Sequence, residues 1–275
     1  MTDQLTDMQI SAVIAAEAGA LLMDLRQTFG QPSDQEAEKE LKSLGDRRSH
    51  NHIVARFGEL RPDDLVLSEE GVDDSDRLAA DRVWIVDPLD GTREFGQGRD
   101  DFAVHIVLWS RDPSAPTGGR LSASTVELPA QKITRRQDDI APMLPGLPHE
   151  RPVRIVASRT RPPATLGVAV DIMAASLAEQ GFTAGVEVID VGSVGAKVNE
   201  ILCGRADAYV HDTGFWEWDV AAPLAIAHAY GLTASHIDGR PVEFNSPHPY
   251  VTDLIVGNPG VVSELQVAMV EASQA

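Results

Sequence analysis

Two periods of apolar residues alternate along this chain, and the switches between them mark its elements. Leu5, Met8, Ile10, Val13, Ile14, Leu21, Leu22 and Leu25 recur near helical spacing, which predicts a helix over 5–28 closed by Gly30 and Pro32. A second helix is expected over 46–60, ending before Pro62. Short apolar runs at 65–67, 83–86 and 102–109 read as strands, and 124–128 with 132–135 as a hairpin. Residues 141–152, APMLPGLPHERP, are the most proline-dense stretch and the expected linker. Beyond it, strands at 153–157, 186–188 and 208–211 alternate with helices at 163–180, 195–203 and 218–230, and a last helix covers 260–273. The pattern predicts an α/β (α+β) protein of two lobes, 1–148 and 149–275, with a cleft between them.

Composition narrows the function. A hydrophobic share of 43% with 24% charged residues is ordinary for a soluble globular chain. No apolar run approaches the ~20 residues of a membrane span. The start, MTDQLTDMQI, carries acids where a signal peptide has basic residues. The expectation is no membrane partner and a cytoplasmic location. Cys203 is the single cysteine, so no internal disulfide forms, and its flanks suggest a buried helix position. The net charge of −19 argues against a nucleic acid polymer as partner. An anionic substrate requires a local reversal of sign, which a divalent cation supplies.

Three apolar stretches end in acids. In VWIVDPLDGTREF a strand runs into Asp87 and Asp90; LVLSEEG ends in Glu69 and Glu70; FWEWDVAAPLAIAHAYG places Asp219 at the head of an alanine-rich helix. Each has a bland reading: a surface turn, a charged loop start and a helix N-cap. Together they suit a hard cation such as Mg²⁺, which takes carboxylates and carbonyls. Pro88 stiffens the turn so that the Leu89 carbonyl can face a metal, and the Gly91 and Thr92 amides can cradle a phosphate if a short helix begins there. Strand alternation allows at most one of Glu69 and Glu70 into the site.

These segments resemble the Mg²⁺-dependent, lithium-sensitive inositol-monophosphatase-like phosphatases. The family's acid pair stands here as Ser68-Glu69-Glu70, its W-[IV]-[IV]-D-P-[IL]-D-G-T as Trp84 to Thr92, and its W-D-x-A-[AG] as Trp218 to Ala222. Asp87 to Phe95 match the D-P-L-D-G-T-[KR]-E-F of the CysQ-type 3′(2′),5′-bisphosphate nucleotidases. The resemblance implies a layered αβαβα sandwich and two or three Mg²⁺ ions per site. Glu69, Asp87 and the Leu89 carbonyl would hold the first ion. Asp87, Asp90 and Asp219 would hold the second. Asp46 would reach a further ion through water. Glu69 and Thr92 would orient or deprotonate the attacking water, with Asp46 counted among the catalytic residues. Asp90, Gly91 and Thr92 would face the scissile phosphate. It also implies a homodimer.

The implied substrate is 3′-phosphoadenosine 5′-phosphate, cleaved to AMP and phosphate, a by-product of sulfate assimilation being cleared. Inositol phosphates or fructose 1,6-bisphosphate are the rival substrates, and a silent binding protein is the rival class. DVGSVGAKVNEIL is no Walker A motif, since Ala196 follows Gly195; its Lys197, one of four lysines, is either solvated or a ligand of a substrate phosphate. Ser158, Arg159 and Thr160 would line the nucleotide end, with Arg161 where many relatives show His. Asp212 or His211 would take the sugar-binding place. His105 reads as a core residue, and the acidic stretch 32–40 has an apolar content that fits mobility.

Overall fold

The computed structural model describes residues 5–141, 146–148 and 150–274. Of the expected linker, residues 142–145 and 149 lie outside the described residues, as does part of the boundary drawn between the lobes.

Helix α1 (Asp7–Phe29) opens on a capping box, with Gln9 N–H donating to Thr6 Oγ1 at 3.2 Å and Thr6 N–H to Gln9 Oε1 at 2.8 Å. It closes on Gly30 at φ 75°, a conformation only glycine adopts without strain. Helix α2 (Gln35–Leu60) begins eleven residues before the expected start, capped by Asp34, whose carboxylate accepts from Ala37 N–H at 2.9 Å. The acidic stretch therefore supplies a first helical turn, where Glu36 and Glu38 complement the helix dipole. Contrary to expectation, α1 is long and apolar enough to cross a membrane. Its apolarity has a packing cause: Ile10, Ile14, Ala15, Ala18 and Leu22 are fully buried in one core cluster with α2 and the first sheet.

That sheet has the order β1 (Leu65–Ser68), β2 (Arg82–Asp90), β3 (Ala103–Arg111), β4 (Gly119–Leu128), β5 (Ile133–Arg136), with only β1–β2 parallel. A short helix, α3 (Thr92–Gly96), follows β2. The second sheet contains β6 (Val153–Ser158), β7 (Val186–Val191), β8 (Ala208–His211), β10 (Thr233–Ser235) and β12 (Leu254–Gly257) in the order β10-β12-β8-β6-β7. Strands β9 (Phe215–Trp216) and β11 (Tyr250–Val251) form a separate antiparallel pair. The remaining helices are α4 (Leu166–Glu179), α5 (Val194–Leu202), α6 (Glu217–Ala229) and α7 (Pro259–Ala272).

Strand alternation assigns the layers. Trp84, Val86, Val104 and Ile106 face α1 and α2. Val83, Ile85, Ala103 and Val107 point the other way, into a core with α5, α6 and the inner face of the second sheet, including Val156, Tyr209 and Val256. Ile155, Ala157, Val210 and Ile255 point outward to α4 and α7. The result is an αβαβα sandwich. The expectations at 163–180, 195–203, 218–230 and 260–273 correspond to α4 to α7, whereas the short strands after 231 gave no periodic signal.

Candidate active site

Strand β2 does not turn at Pro88; it runs on to Asp90, with its register against β3 shifting between Asp87 and Asp90. The irregularity accommodates the proline, which lacks a ladder donor. Asp87 is thereby held inside, 1% exposed, its Oδ1 accepting the Leu89 N–H at 2.9 Å. The turn comes at Gly91, φ 86°, where a side chain would also press on Ser193 and on the Asp101 carbonyl. Helix α3 starts at once, so the first-turn amides after Gly91 lack intrahelical acceptors.

Helix α2 reaches this strand because Gly45 has no side chain: a Cβ there would meet Phe95 at 2.8 Å and Leu89 at 2.9 Å. Asp46 then lies beside Thr92, whose hydroxyl has Asp46 Oδ1 at 3.2 Å and the Leu89 carbonyl at 3.1 Å as acceptors. Glu69 follows β1 at the mouth of the site, where water reaches it although protein surrounds much of it. Asp219 sits in the first turn of α6, not at its cap; the cap is Trp216, whose N–H donates to Asp219 Oδ2 at 2.9 Å.

The electrostatics tie these acids together. Burial pushes Asp87 well above the usual carboxylate range, with Glu69, Asp90 and Asp219 adding repulsion. Burial also raises Asp219 and Asp46 to about 7, helped by Asp90 and by Glu70 respectively. Glu69 rises to about 8 through desolvation and then Asp219, Asp46, Glu70 and Asp90. Asp90 accepts the Gly195 N–H at 3.1 Å and has His105 Nε2 at 3.3 Å, but burial lowers the pKa of His105 and so disfavours its charged form.

Among the described residues no three acid, histidine or cysteine side chains converge closely enough to hold an ion as they stand. The donor chemistry nevertheless fits hard cations. Asp46, Glu69, Asp87 and Asp219 form no ion pair with a lysine or arginine among the described residues, and every candidate ligand atom is oxygen.

Next to the acids lies a cavity of about 230 Å³ lined by Asp90, Gly91, Thr92, Asp219, Ser158, Arg159, Thr160, Arg161, Lys197 and His211, among others. A larger one, about 650 Å³, opens between α1, α2 and α3 and contains none of the acid cluster. Lys197 is 4% exposed; its ammonium donates to the Gly192 carbonyl and lies 5.1 Å from the Tyr209 ring centroid. Burial lowers it to about 8.

The structure does not bring Asp212 to this cavity. His211 ends β8 facing inward, and the next side chain turns to solvent. Arg159 lines the cavity but is tied down by ion pairs. Cys203 is half-buried just past α5, with Arg135 donating to its Sγ at 3.1 Å. Sequence reasoning missed Gly192, Gly195 and Asp101. A Cβ on Gly192 would meet Glu94 at 2.5 Å, while Asp101 accepts the Gly192 and Ser193 amides at 2.7 and 3.0 Å. Glycines on both sides of a cap serine were the available signal: a helix start pressed against another backbone.

A cluster of acids with no lysine or arginine partner among the described residues, beside a small cavity that Lys197 also lines, suits a hydrolase of phosphate esters. The chain belongs to the inositol monophosphatase family, whose model matches residues 2–275. The 3′-phosphoadenosine 5′-phosphate phosphatase of Mycobacterium leprae is 40% identical over 261 residues, 92% of this chain and 89% of that protein. The 3′(2′),5′-bisphosphate nucleotidase CysQ of Shigella flexneri is 28% identical over 79% of this chain and 82% of its own. Inositol monophosphatase II of Staphylococcus aureus shares the fold, with a TM-score of 0.73 at 21% identity over 94% of this chain and 92% of that one.

Proposed function

We propose that this protein removes the 3′-phosphate from 3′-phosphoadenosine 5′-phosphate, giving AMP and inorganic phosphate. The observation that carries this reading is Lys197, a buried ammonium with one hydrogen-bond acceptor among the described residues, lining the same cavity as Asp90 and Asp219. A substrate with two phosphates satisfies both ends. The relatives bearing that activity in their names support it.

Glu69, Asp87, the Leu89 carbonyl, Asp90 and Asp219 would hold Mg²⁺ ions, two or three per site, which when bound acidify water and neutralise charge on the attacking and leaving oxygens. The chain's own groups do the rest. Glu69 would take the proton of the attacking water, and Thr92, hydrogen-bonded to Asp46, would orient that water. The Gly91 and Thr92 amides receive the scissile phosphate. The water oxygen bonds to phosphorus, the ester P–O bond breaks, and the leaving 3′-oxygen takes a proton. Lys197 holds the other phosphate.

Lithium inhibition, a homodimer, a cytoplasmic place in sulfate assimilation and a division into lobes 1–148 and 149–275 belong to the same reading. The net charge of −19 agrees with a small substrate and no nucleic acid polymer. Inositol-1-monophosphatase of Mycobacterium bovis, 27% identical over 93% of this chain, supports a second reading with the same chemistry and another substrate.

The test is phosphate release with Mg²⁺, comparing kcat/KM for the nucleotide, inositol 1-phosphate and fructose 1,6-bisphosphate, with and without lithium. A nucleotide preference of at least ~10-fold, about 1.4 kcal/mol, is expected. A preference for either other substrate overturns the assignment.

A further inference from the structure

Two buried charges that the mechanism leaves unused flank the carriers of the acids. Arg77 is 2% exposed, at the end of a segment, residues 69–76, in which every residue is exposed. Glu217, 1% exposed, opens α6 two residues before Asp219. Charged side chains are seldom buried this far unless they are partnered. Arg77 donates through Nε and Nη2 to the two carboxylate oxygens of Asp73 at 2.6 and 3.0 Å. It also donates to Asn245 Oδ1 at 2.7 Å and to the Ser246 carbonyl at 2.8 Å. Asn245 returns its side-chain amide to the Arg77 carbonyl at 3.2 Å. On the far side, the backbone N–H groups of Asn245 and Ser246 donate to Glu217 Oε2 and Oε1 at 2.6 and 2.9 Å. The Glu217 N–H donates in turn to the Pro249 carbonyl at 2.9 Å.

Segment 245–249 is therefore a bridge. One side grips the connection from β1 to β2, which begins with Glu69; the other grips the first turn of α6, which carries Asp219. Glu69 is tied to its end of the bridge by a turn that the Gly71 N–H closes on the Ser68 carbonyl at 3.0 Å. Asn245 reaches both sides from a backbone at φ 60°, a left-handed conformation that asparagine adopts more readily than most residues. An apolar plug would fill this space at a lower desolvation cost, and a buried ionic network adds little stability over one. What directional bonds supply, and a plug does not, is a fixed separation.

We propose that Arg77, Asn245 and Glu217 are positioning residues that hold Glu69 and Asp219 at the separation Mg²⁺ binding requires. This rests on the phosphatase reading above and extends it to residues outside the acid cluster.

The experiment measures Mg²⁺ binding by titration calorimetry, together with Tm, for the parent, Arg77→Ala, Arg77→Lys, Asn245→Gly and Arg151→Ala. Arg151 is the control: it pairs with buried Asp207 at 2.7 and 3.0 Å, at the opposite end of β6 from the cavity. Arg77→Ala and Asn245→Gly are expected to weaken Mg²⁺ binding by ~10-fold or more, as loss of groups that orient ligands from behind does. Arg77→Lys should fall between, since lysine keeps the charge but not the fork. Arg151→Ala should lower Tm and leave Mg²⁺ affinity at the parent's value. In turnover, the Mg²⁺ concentration for half-maximal phosphate release should rise by the same factor in Arg77→Ala and Asn245→Gly, with KM for the nucleotide at saturating Mg²⁺ unmoved. If Arg77→Ala does not fold, Asn245→Gly decides, because glycine takes φ 60° without strain. Parent-like Mg²⁺ affinity in Asn245→Gly, or an equal loss in Arg151→Ala, overturns the proposal. A parent that binds Mg²⁺, with the expected losses in the variants, but cleaves no phosphate ester discards the phosphatase reading and keeps the bridge.

Discussion

Gly195 gives its amide to Asp90 across 3.1 Å, and a methyl group on it would stand 2.5 Å from His105 Nε2. One position thus fixes a candidate metal ligand and brings α5 against β3. Gly195→Ala should cost about 1–3 kcal/mol, the usual penalty of overpacking a closed site, read as a fall in Tm. Turnover should drop further than stability alone explains, because relieving the contact with His105 moves the residue 195 amide away from Asp90. Unchanged turnover would show that Asp90 does not need this amide.

Asp87 is a buried acid with no ion pair to a lysine or arginine among the described residues, so its carboxylate is a burden on the metal-free fold. Asp87→Asn should leave that fold at least as stable near neutral pH while removing nearly all turnover. Circular dichroism melting and phosphate release decide it. Near-normal activity would remove Asp87 from the site, and a collapsed fold would make it structural.

The raised acids also set a pH dependence. Asp46 and Asp219 titrate at about 7 in the fold and Glu69 at about 8, whereas unfolded carboxyls titrate near their ordinary values. The unfolded chain therefore binds fewer protons across that interval, and metal-free stability should fall as pH rises from about 4 to about 8. Thermal melts in chelator should show a higher Tm at about pH 5.5 than at about pH 8.5, and Mg²⁺ should restore most of the difference at the higher pH, since cation and protons compete for the same oxygens. A flat chelator profile would mean that these acids do not repel as the geometry implies.

Lys197 supplies a second titration. It is cationic below about 8 and neutral above. The ratio of kcat/KM for a bisphosphate to that for its monophosphate should decline as pH rises through that value, the ratio cancelling groups common to both substrates. Lys197→Met should abolish the decline. A ratio that does not move with pH would make the lysine a structural residue.

Much of this was legible in the chain. The helical spacing of Leu22 and Leu25, the apolar run before Asp87 and the alternation after residue 153 carry the layer plan, because burial on one face imposes a period. The acids were legible for the same reason: carboxylates at the ends of apolar strands need an explanation. What stayed hidden depends on contact at a distance. The start of α2 rests on one cap, Asp34, ahead of a charged turn that no hydrophobic pattern announces. His105 sits opposite Asp87 in the β2–β3 register, and nothing local separates it from a core residue. Arg159 and Arg161 are interchangeable as letters; only the positions of Glu94 and Asp101 make Arg159 a strut, while Arg161 has no ion pair among the described residues.

The αβαβα stacking has an evolutionary consequence. Four of the acids come from elements packed on or within the first sheet, and Asp219 is delivered to them by α6, whereas Arg161 hangs from a strand of the second sheet. The acid cluster and the residues after Ser158 that line the cavity beside it thus come from different slabs of the molecule. Residues after Ser158 can therefore change without disturbing the packing that holds the acids.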